Sequence, residues 1–527
     1  MTGESTVSEV TTVINNTVTR RLTETTRSFY ELSILLGIVI IGAFHFAEHL
    51  KNPEIQLLIV SIGGLGIWRY SWWLTHLIRA QIYGRWVYPR LRARADTVWR
   101  EGWRPERIHF MMTTFKEDVA TTHAVLDSIV RQCSEIGRPA TLYVGTGHPD
   151  DERIIQSYFH NLQRPLLLDV TLVRQVHPGK RMAIGLVLRA MSRDGIGGDD
   201  PVIFMDGDTI LEDHCVQRCI SVFSVEPDIS ALTTDERAIV HGPEWMQRWL
   251  DMRFAQRHLA MQSHSLSRKV LTLTGRMSVF RAQAIIDDEF ISTVENDFLD
   301  HWLWGRFRFL SGDDKSSWYV LLRRGANMLY VPDAMSYTVE QIEGNGIDRM
   351  KANLIRWSGN MLRNGTRALA LGPRHVGLFI WWCVLDQRIA TWTTLIGPIA
   401  AVAATFLIGP WVLPGYILWV LGVRLVASFV LFGYARKIDA WFPILLYVNQ
   451  LLNACLKLYI WYRLPRQRWS NRGDQRAALN TDFVGRVRNI MATYLTYLSI
   501  IALTTVVLLY TGLLLWPQHW PSLFGSG

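Results

Sequence analysis

Apolar residues dominate the chain at 29–46 and again at 55–78, each stretch close to the roughly 20 residues a helix needs to cross a bilayer. Together they predict a transmembrane hairpin. Comparable runs return only late, at 389–409, 412–434, 441–463 and 491–516. Between the two blocks the pattern changes. Short β-rich stretches such as "ATLYVG", "LLLDVTLV" and "PVIFMDGD" alternate with helical ones, the signature of an α/β domain. The expected layout is a polar, Thr-rich tail (1–28), the hairpin (29–88), an α/β domain (89–346), amphipathic interface helices (347–388) and a second transmembrane region (389–527).

The segment "RLPRQRWSNRGDQR" at 463–476 is strongly basic, which places it on the cytoplasmic side of a membrane. Three full crossings between the α/β domain and this segment would put it on the other side. The stretch 441–463, with Asn449, Asn453 and Lys457, is therefore expected to lie at the interface or to re-enter. Two further helices are expected to touch the membrane surface through Trp and Arg. "PEWMQRWLDMRFAQRHLAM" carries Trp245, Trp249, Met246 and Leu250 beside Arg248, Arg253 and Arg257. "MKANLIRWSGNMLRN" carries Leu354, Trp357 and Met361 beside Lys351, Arg356 and Arg363. The bland alternative is that both are core helices of the α/β domain.

Composition fits this mixture: 49% of residues are hydrophobic, 22 are Trp, and the formal charge is +9. Such a charge attracts nucleic acid, anionic lipid or an acidic substrate alike; the membrane segments make nucleic acid the least expected partner. Five cysteines, at 133, 215, 219, 383 and 455, are too scattered for a disulfide framework and fit a reducing compartment. His214, Cys215 and Cys219 offer three soft groups without a fourth ligand and are read as ordinary buried thiols with a neighbouring imidazole.

The chemistry is carried by carboxylates. In "VIFMDGDTI" an apolar strand ends in Asp206, Gly207 and Asp208, and residues two apart on an extended chain face the same side. Two hard oxygen donors at the carboxyl end of a strand suit Mg2+ or Mn2+ bound to a diphosphate; a solvated Asp-Gly-Asp turn is the plain alternative. Upstream, "VHPGKRMAIG" sets Gly179, Lys180 and Arg181 before a helix, where a phosphate can be held. "MMTTFKED" ends a strand at Thr114 and leaves Glu117 to touch a nucleotide or to cap a helix. Adjacent acids, Asp313 and Asp314, follow in "FLSGDDKSSW".

This order of motifs inside one α/β domain flanked by membrane helices resembles the processive, membrane-integrated family 2 glycosyltransferases. The longer stretches "GIWRYSWWLTH", "RFAQRH", "VLTLTGRMSVFRA", "YVPDA", "NGTRALALG" and "LDQRIATW" resemble the alginate synthase branch of that family. The chain departs from the general family at Asn353 of "NLIRW", where Gln is usual, while Arg356 and Trp357 remain. The alginate branch departs there too. The common Asp-Asp-Gly-Ser nucleotide motif is also missing, with Asp150 and Asp151 of "YVGTGHPDDE" in its neighbourhood.

The resemblance implies an α/β GT-A-type glycosyltransferase domain, cytosolic, inserted in an α-helical transmembrane protein of the bacterial inner membrane. It implies a donor, GDP-mannuronate, and a growing polyuronate chain as acceptor, with Mg2+ or Mn2+ held by Asp208 and Asp206. Thr114, Glu117, Lys180 and Arg181 would contact the donor, Asp314 would act as general base beside Asp313, and Thr274, Gly275, Arg276, Arg356 and Trp357 would line the acceptor. Arg276 is the residue expected to pair with a uronate carboxylate. A related enzyme using a UDP-sugar would share every one of these motifs. The resemblance also implies a co-polymerase partner with a cyclic di-GMP-binding PilZ domain. From the residues themselves, Arg69, Arg424 and Lys457 are basic groups inside apolar spans. Such charges normally face a cavity or a partner, here a channel for a polyanion, or snorkel to the surface.

Overall fold

The computed structural model describes residues 21–162, 167–175, 179–435, 438–469, 475–476 and 482–515. The first 20 residues of the expected tail, and most of the basic segment after Trp469, lie outside the described residues. The chain divides into two compact units: one comprises His76–Leu385 and Leu464–Leu479, the other Arg21–Thr75, Asp386–Arg463 and Asn480–Gly527.

In chain order the helices are α1 (Arg21–Phe46), α2 (Pro53–Ile82), α3 (Tyr88–Arg100), α4 (Val119–Ile136), α5 (Pro149–His160), α6 (Lys180–Arg193), α7 (Cys215–Val225), α8 (Glu244–Ser265), α9 (Asp288–Glu295), α10 (Asp313–Arg323), α11 (Gly346–Ala370), α12 (Gly372–Val376), α13 (Leu378–Leu407), α14 (Val412–Leu431), α15 (Trp441–Trp461) and α16 (Phe483–Tyr510). The strands of the first unit's main sheet are β1 (Ile108–Thr114), β2 (Ala140–Thr146), β3 (Leu168–Arg174), β4 (Pro201–Asp206), β5 (Thr209–Leu211), β6 (Ile229–His241) and β7 (Met277–Arg281). A small hairpin, β8 (Phe298–His301) with β9 (Gly305–Arg308), and a long last strand, β10 (Asn327–Gln341), follow.

The main sheet is mixed, in the order β3-β2-β1-β4-β7-β6-β10-β5. Strands β1 to β4 run parallel and β7 runs antiparallel between β4 and β6. β1 and β2 are buried almost throughout, as parallel strands covered on both faces must be. Helix α4 shows the local logic of the connections. The Asp118 side chain caps its start by accepting from Thr121 N, and Gly137 closes its end at φ +66°.

α8 and α11 each bury part of their surface in this unit: Met246, Trp249, Leu250 and Leu354 are all buried. Of the Trp and Arg residues that suggested an interface, Trp249, Arg253 and Trp357 pack on one another, while Arg248 pairs with exposed Glu244.

Among the described residues, six helices are long and apolar enough to cross a membrane, α15 among them. One level of the second unit is marked by Ile55, Leu58, Ala400, Ala404, Val412 and Val507, which pack in one cluster. At the start of α15, Ala440 N donates to Glu31, which lies fifteen residues before the end of α1. At its far end, Trp461 meets Trp392 and Arg463 donates to Thr493 and Thr496. Between these ends Tyr447 Oη lies 3.1 Å from Tyr416 Oη, four residues after Val412 of the marked level.

Within this unit the basic residues have partners. Arg69 forms an ion pair with Asp386, which corrects the snorkelling alternative and compensates its charge inside the protein. Arg424 donates to the neutral amide of Gln450, whose nitrogen donates to Thr394 Oγ1 at 3.2 Å. Lys457 is half-buried on α15.

Candidate active site

β4 delivers the first acid pair. Gly207 N donates to Thr113 O at 2.9 Å, tying the turn to β1, and Val339 N donates to Asp208 O at 3.1 Å, tying it to β10. A Cβ at Gly207 would stand 2.8 Å from Thr114 Cβ and 3.0 Å from Thr113 O, so a side chain there would force the turn off β1. Asp206 and Asp208 thus enter one cavity of about 400 Å3 at the carboxyl end of β1 and β4.

The second pair is delivered by the first turn of α10. Gly312 precedes it at φ +86°, and a Cβ there would lie 2.7 Å from Asn360 Cγ on α11. Only glycine accepts both conditions. The first turn also aims its free N–H groups at Asp313 and Asp314, which favours their ionised forms.

Lys180 joins the two pairs. Its Nζ lies 2.6 Å from Asp206 Oδ1 and 3.1 Å from Asp313 Oδ2. Gly275 permits this, because a Cβ there would stand 3.2 Å from Lys180 Nζ. Burial lowers the Lys180 pKa, but Asp206 and Asp313 more than reverse the effect, so the ammonium stays charged. Burial likewise pushes Asp313 up, and Lys180 with Arg181 pulls it below the usual carboxylate range. Asp314 is pushed above that range by burial and by Asp313. Asp208 is pushed to about 7 by burial, then by Asp206 and Glu340. Asp206 is also raised, by burial and by Asp313 against the pull of Lys180, so the four acids are split into an ionised one, Asp313, and three that hold protons more tightly, the pattern by which acid and base roles are separated.

Asp208 Oδ1 is buried without a hydrogen-bond partner in the protein. An orphaned carboxylate oxygen in a cavity, beside a second acid, fits a divalent cation with oxygen ligands.

Among the residues expected to line the acceptor, Trp357 stacks on Trp249 with centroids 5.8 Å apart, and the Arg253 guanidinium lies 4.6 Å from the Trp357 centroid. Burial, then Arg276, lowers the Arg253 pKa to about 10. Arg356 donates to Asn353 Oδ1 at 3.2 Å, so the residue that replaces the usual Gln orients the arginine.

The cavity brings together Thr114, Glu117, Lys180, Asp206, Asp208, Thr274, Gly275, Arg276, Asp313, Asp314, Arg356 and Trp357. Arg181 is the exception. It is buried and donates to Val294 O, Ser311 O and Ser316 Oγ, so it braces the loop before α10 and is not a donor-binding group. Arg276 is corrected in a different way. It lines the cavity, but is held between Glu236 at 3.3 Å and Glu340 at 3.2 Å, and is not offered to a uronate. Capping of α4 falls to Asp118, leaving Glu117 to the cavity. Asp151 accepts from Lys116 N at 3.0 Å, and neither it nor Asp150 lines the cavity. Cys215 and Cys219 are buried thiols raised by burial, while His214 pairs with Glu135.

Sequence reasoning missed Glu236, Glu340 and the site roles of Trp249 and Arg253. The spacing of Trp249, Arg253 and Arg257 by four residues put them on one helix face, but that face was assigned to the membrane.

Residues 105–360 match the family model described as "Glycosyltransferase like family 2". The chain is 37% identical to "Glycosyltransferase alg8" of Pseudomonas syringae pv. tomato over 87% of this chain and 92% of that protein. It is 36% identical to "Glycosyltransferase alg8" of Azotobacter vinelandii over 83% and 89%. Among solved structures, the mannosyltransferase PcManGT from Pyrobaculum calidifontis in complex with GDP-Man and Mn2+ is similar at 15% identity, covering 76% of this chain and 98% of that one, with a TM-score of 0.40. Joined to two acid pairs bridged by Lys180, the near full-length identity to these relatives means that the chain belongs to the Alg8 branch of the family 2 glycosyltransferases.

Proposed function

We propose that this glycosyltransferase polymerises mannuronate from GDP-mannuronate into the alginate precursor, poly-β-1,4-mannuronate, and passes the chain across the bacterial inner membrane. The catalytic unit is cytosolic, where nucleotide sugars are made, and the basic residues of 463–476 support that side. The observation that carries the reading is the Lys180 bridge between Asp206 and Asp313. It sets a fixed positive charge midway between a diphosphate subsite and a base.

The reaction is a single inverting displacement. The acceptor hydroxyl oxygen forms a bond to the anomeric carbon as the bond from that carbon to the diphosphate oxygen breaks. Asp314, held above the usual carboxylate range by burial and Asp313, takes the hydroxyl proton. Lys180 stabilises charge developing on the leaving diphosphate. Asp208 and Asp206 would hold Mg2+ or Mn2+, which when bound supplies further charge neutralisation on the diphosphate. Trp357, backed by Trp249, offers a flat apolar surface to the acceptor sugar. Arg424 supports a conduit for a polyanion, because its charge meets the neutral amide of Gln450. A second membrane subunit with a cyclic di-GMP-binding PilZ domain is the proposed partner, carried over from the family resemblance.

The test is polymer synthesis in lipid vesicles, with and without the partner subunit, from GDP-mannuronate and Mg2+ or Mn2+. Product sensitive to a mannuronate-specific lyase from the wild type, and none from Asp314→Asn, is the expected result. Activity with a UDP-sugar and none with GDP-mannuronate would overturn the donor assignment.

A further inference from the structure

Away from the sugar site, three metal-binding side chains meet inside the first unit. His76 stands near the end of α2, His264 near the end of α8 and Cys383 near the start of α13. One ligand atom from each lies within 4.8 Å of the other two. Cys383 Sγ is 3.9 Å from His76 Nε2, and the two imidazole rings are edge to face with centroids 5.5 Å apart. His264 and Cys383 are buried, and His264 Nδ1 is buried without a hydrogen-bond partner in the protein.

We propose that His76, His264 and Cys383, with a water molecule as fourth ligand, bind a zinc ion that clamps α2, α8 and α13 together. Imidazole nitrogen and thiolate sulfur are the donors zinc takes in structural sites. Tetrahedral bonds of about 2.0–2.3 Å separate such donor atoms by roughly 3.5 Å. The observed spread closes to that value by a shift of about an ångström, within reach of small χ rotations in the three side chains. On binding, the Cys383 thiol gives up its proton to solvent, and the thiolate offsets one of the two zinc charges. That offset matters, because Arg79 stacks 3.7 Å over Phe379, which itself packs on His76, and Arg79 also donates to Ser263 O and Ser267 Oγ at the end of α8. The site needs its thiolate to hold a dication beside that guanidinium.

The position gives the clamp a purpose. His264 is the penultimate residue of α8, and the chain runs from there through Leu271, whose carbonyl accepts from Lys315, into Thr274, Gly275 and Arg276. Zinc at the end of α8 would fix the root of the segment that lines the sugar cavity, without touching substrate.

Protein carrying no polyhistidine tag, in lipid nanodiscs and treated with EDTA to strip loosely held Mg2+ or Mn2+, is assayed for zinc by mass spectrometry. Stoichiometric zinc in the wild type, falling to background in Cys383→Ser and His264→Gln, is the expected result. Replacement by Co2+ is expected to give a thiolate-to-cobalt absorption band in the wild type that Cys383→Ser lacks. Because a variant can fail through misfolding, alkylation of Cys383 in the wild type is also followed, and added zinc is expected to protect it. Wild type that takes up neither zinc nor cobalt, or whose Cys383 alkylates equally fast with zinc, overturns the site, as does a Cys383→Ser protein that keeps its zinc.

Discussion

Lys180 Nζ stands 3.1 Å from Asp313 Oδ2, and the same ammonium lies 2.6 Å from Asp206, so one cation holds the acid pair of β4 and that of α10 at a fixed separation. Lys180→Met removes the charge and leaves a half-buried carboxylate, Asp206, facing a buried one, Asp313. Turnover is expected to fall on the order of 10²–10³-fold, the usual cost of losing a preorganised charge at a transition state. A Lys180→Arg protein that matched wild-type turnover would show that charge alone, and not the point-like ammonium fitting under Gly275, is required.

The Asp208 carboxyl, pushed to about 7 by burial and then by Asp206 and Glu340, must lose its proton to bind a cation. A raised pKa means the proton competes below that value and not above it. Apparent Mn2+ affinity is expected to be flat above about pH 7 and to weaken about tenfold for each pH unit below it. Titrating activity with Mn2+ across that range checks this, and Asp208→Asn is expected to bind weakly at every pH.

Gly312→Ala tests the delivery of the second pair. The residue holds φ +86° with Asn360 Cγ 2.7 Å from its missing Cβ. The left-handed backbone alone costs an L side chain about 1–2 kcal/mol. Thermal stability is expected to drop by roughly 2–4 °C per kcal/mol, and activity to be lost beyond that, because Asn360 yields only by giving up its bonds to Ser311 Oγ and Arg363 or by moving α11 against α10. Undiminished turnover would show that Asp313 and Asp314 tolerate a shifted helix start.

In the second unit, Asp386→Asn leaves Arg69 charged without its carboxylate. Breaking a buried pair on one side costs about 3–5 kcal/mol, whereas removing both partners is far cheaper. Heating detergent-solubilised Asp386→Asn is expected to aggregate it well below the wild type, with the double Arg69→Gln, Asp386→Asn protein recovering most of the loss.

Arg424→Gln separates conduction from chemistry. Its guanidinium meets the neutral Gln450 amide, so the substitution breaks no ion pair described here. Polymer output is expected to fall several-fold while single-turnover transfer to a short acceptor is kept. Equal loss of both would count against a role in moving the chain.

The acids were legible because their chemistry depends on position along one strand or one helix start: an apolar run ending in Asp-x-Asp fixes Asp206 and Asp208 at the carboxyl end of β4 without any tertiary information. Partners were not. Arg181 and Lys180 are neighbours in sequence with the same charge, yet the helical turn between them sends one into the cavity and the other into the carbonyls of 294 and 311. Nothing local distinguishes them. Arg276 read as free for a uronate because Glu236 and Glu340 come from β6 and β10, which only the sheet order brings to it. The amphipathic text of α8 fits a membrane surface and a polar cavity equally well, since Trp and Arg serve both.

The route of α15 decides a question of parity. If its 21 mostly apolar residues re-enter instead of crossing, then α1, α2, α13, α14 and α16 give an odd number of crossings and residues 21 and 510 face opposite compartments; if α15 crosses as well, the number is even and they face the same one. A reporter active only in the cytoplasm, fused after 431 or inserted after 469, would light up from both places in the first case and from one in the second.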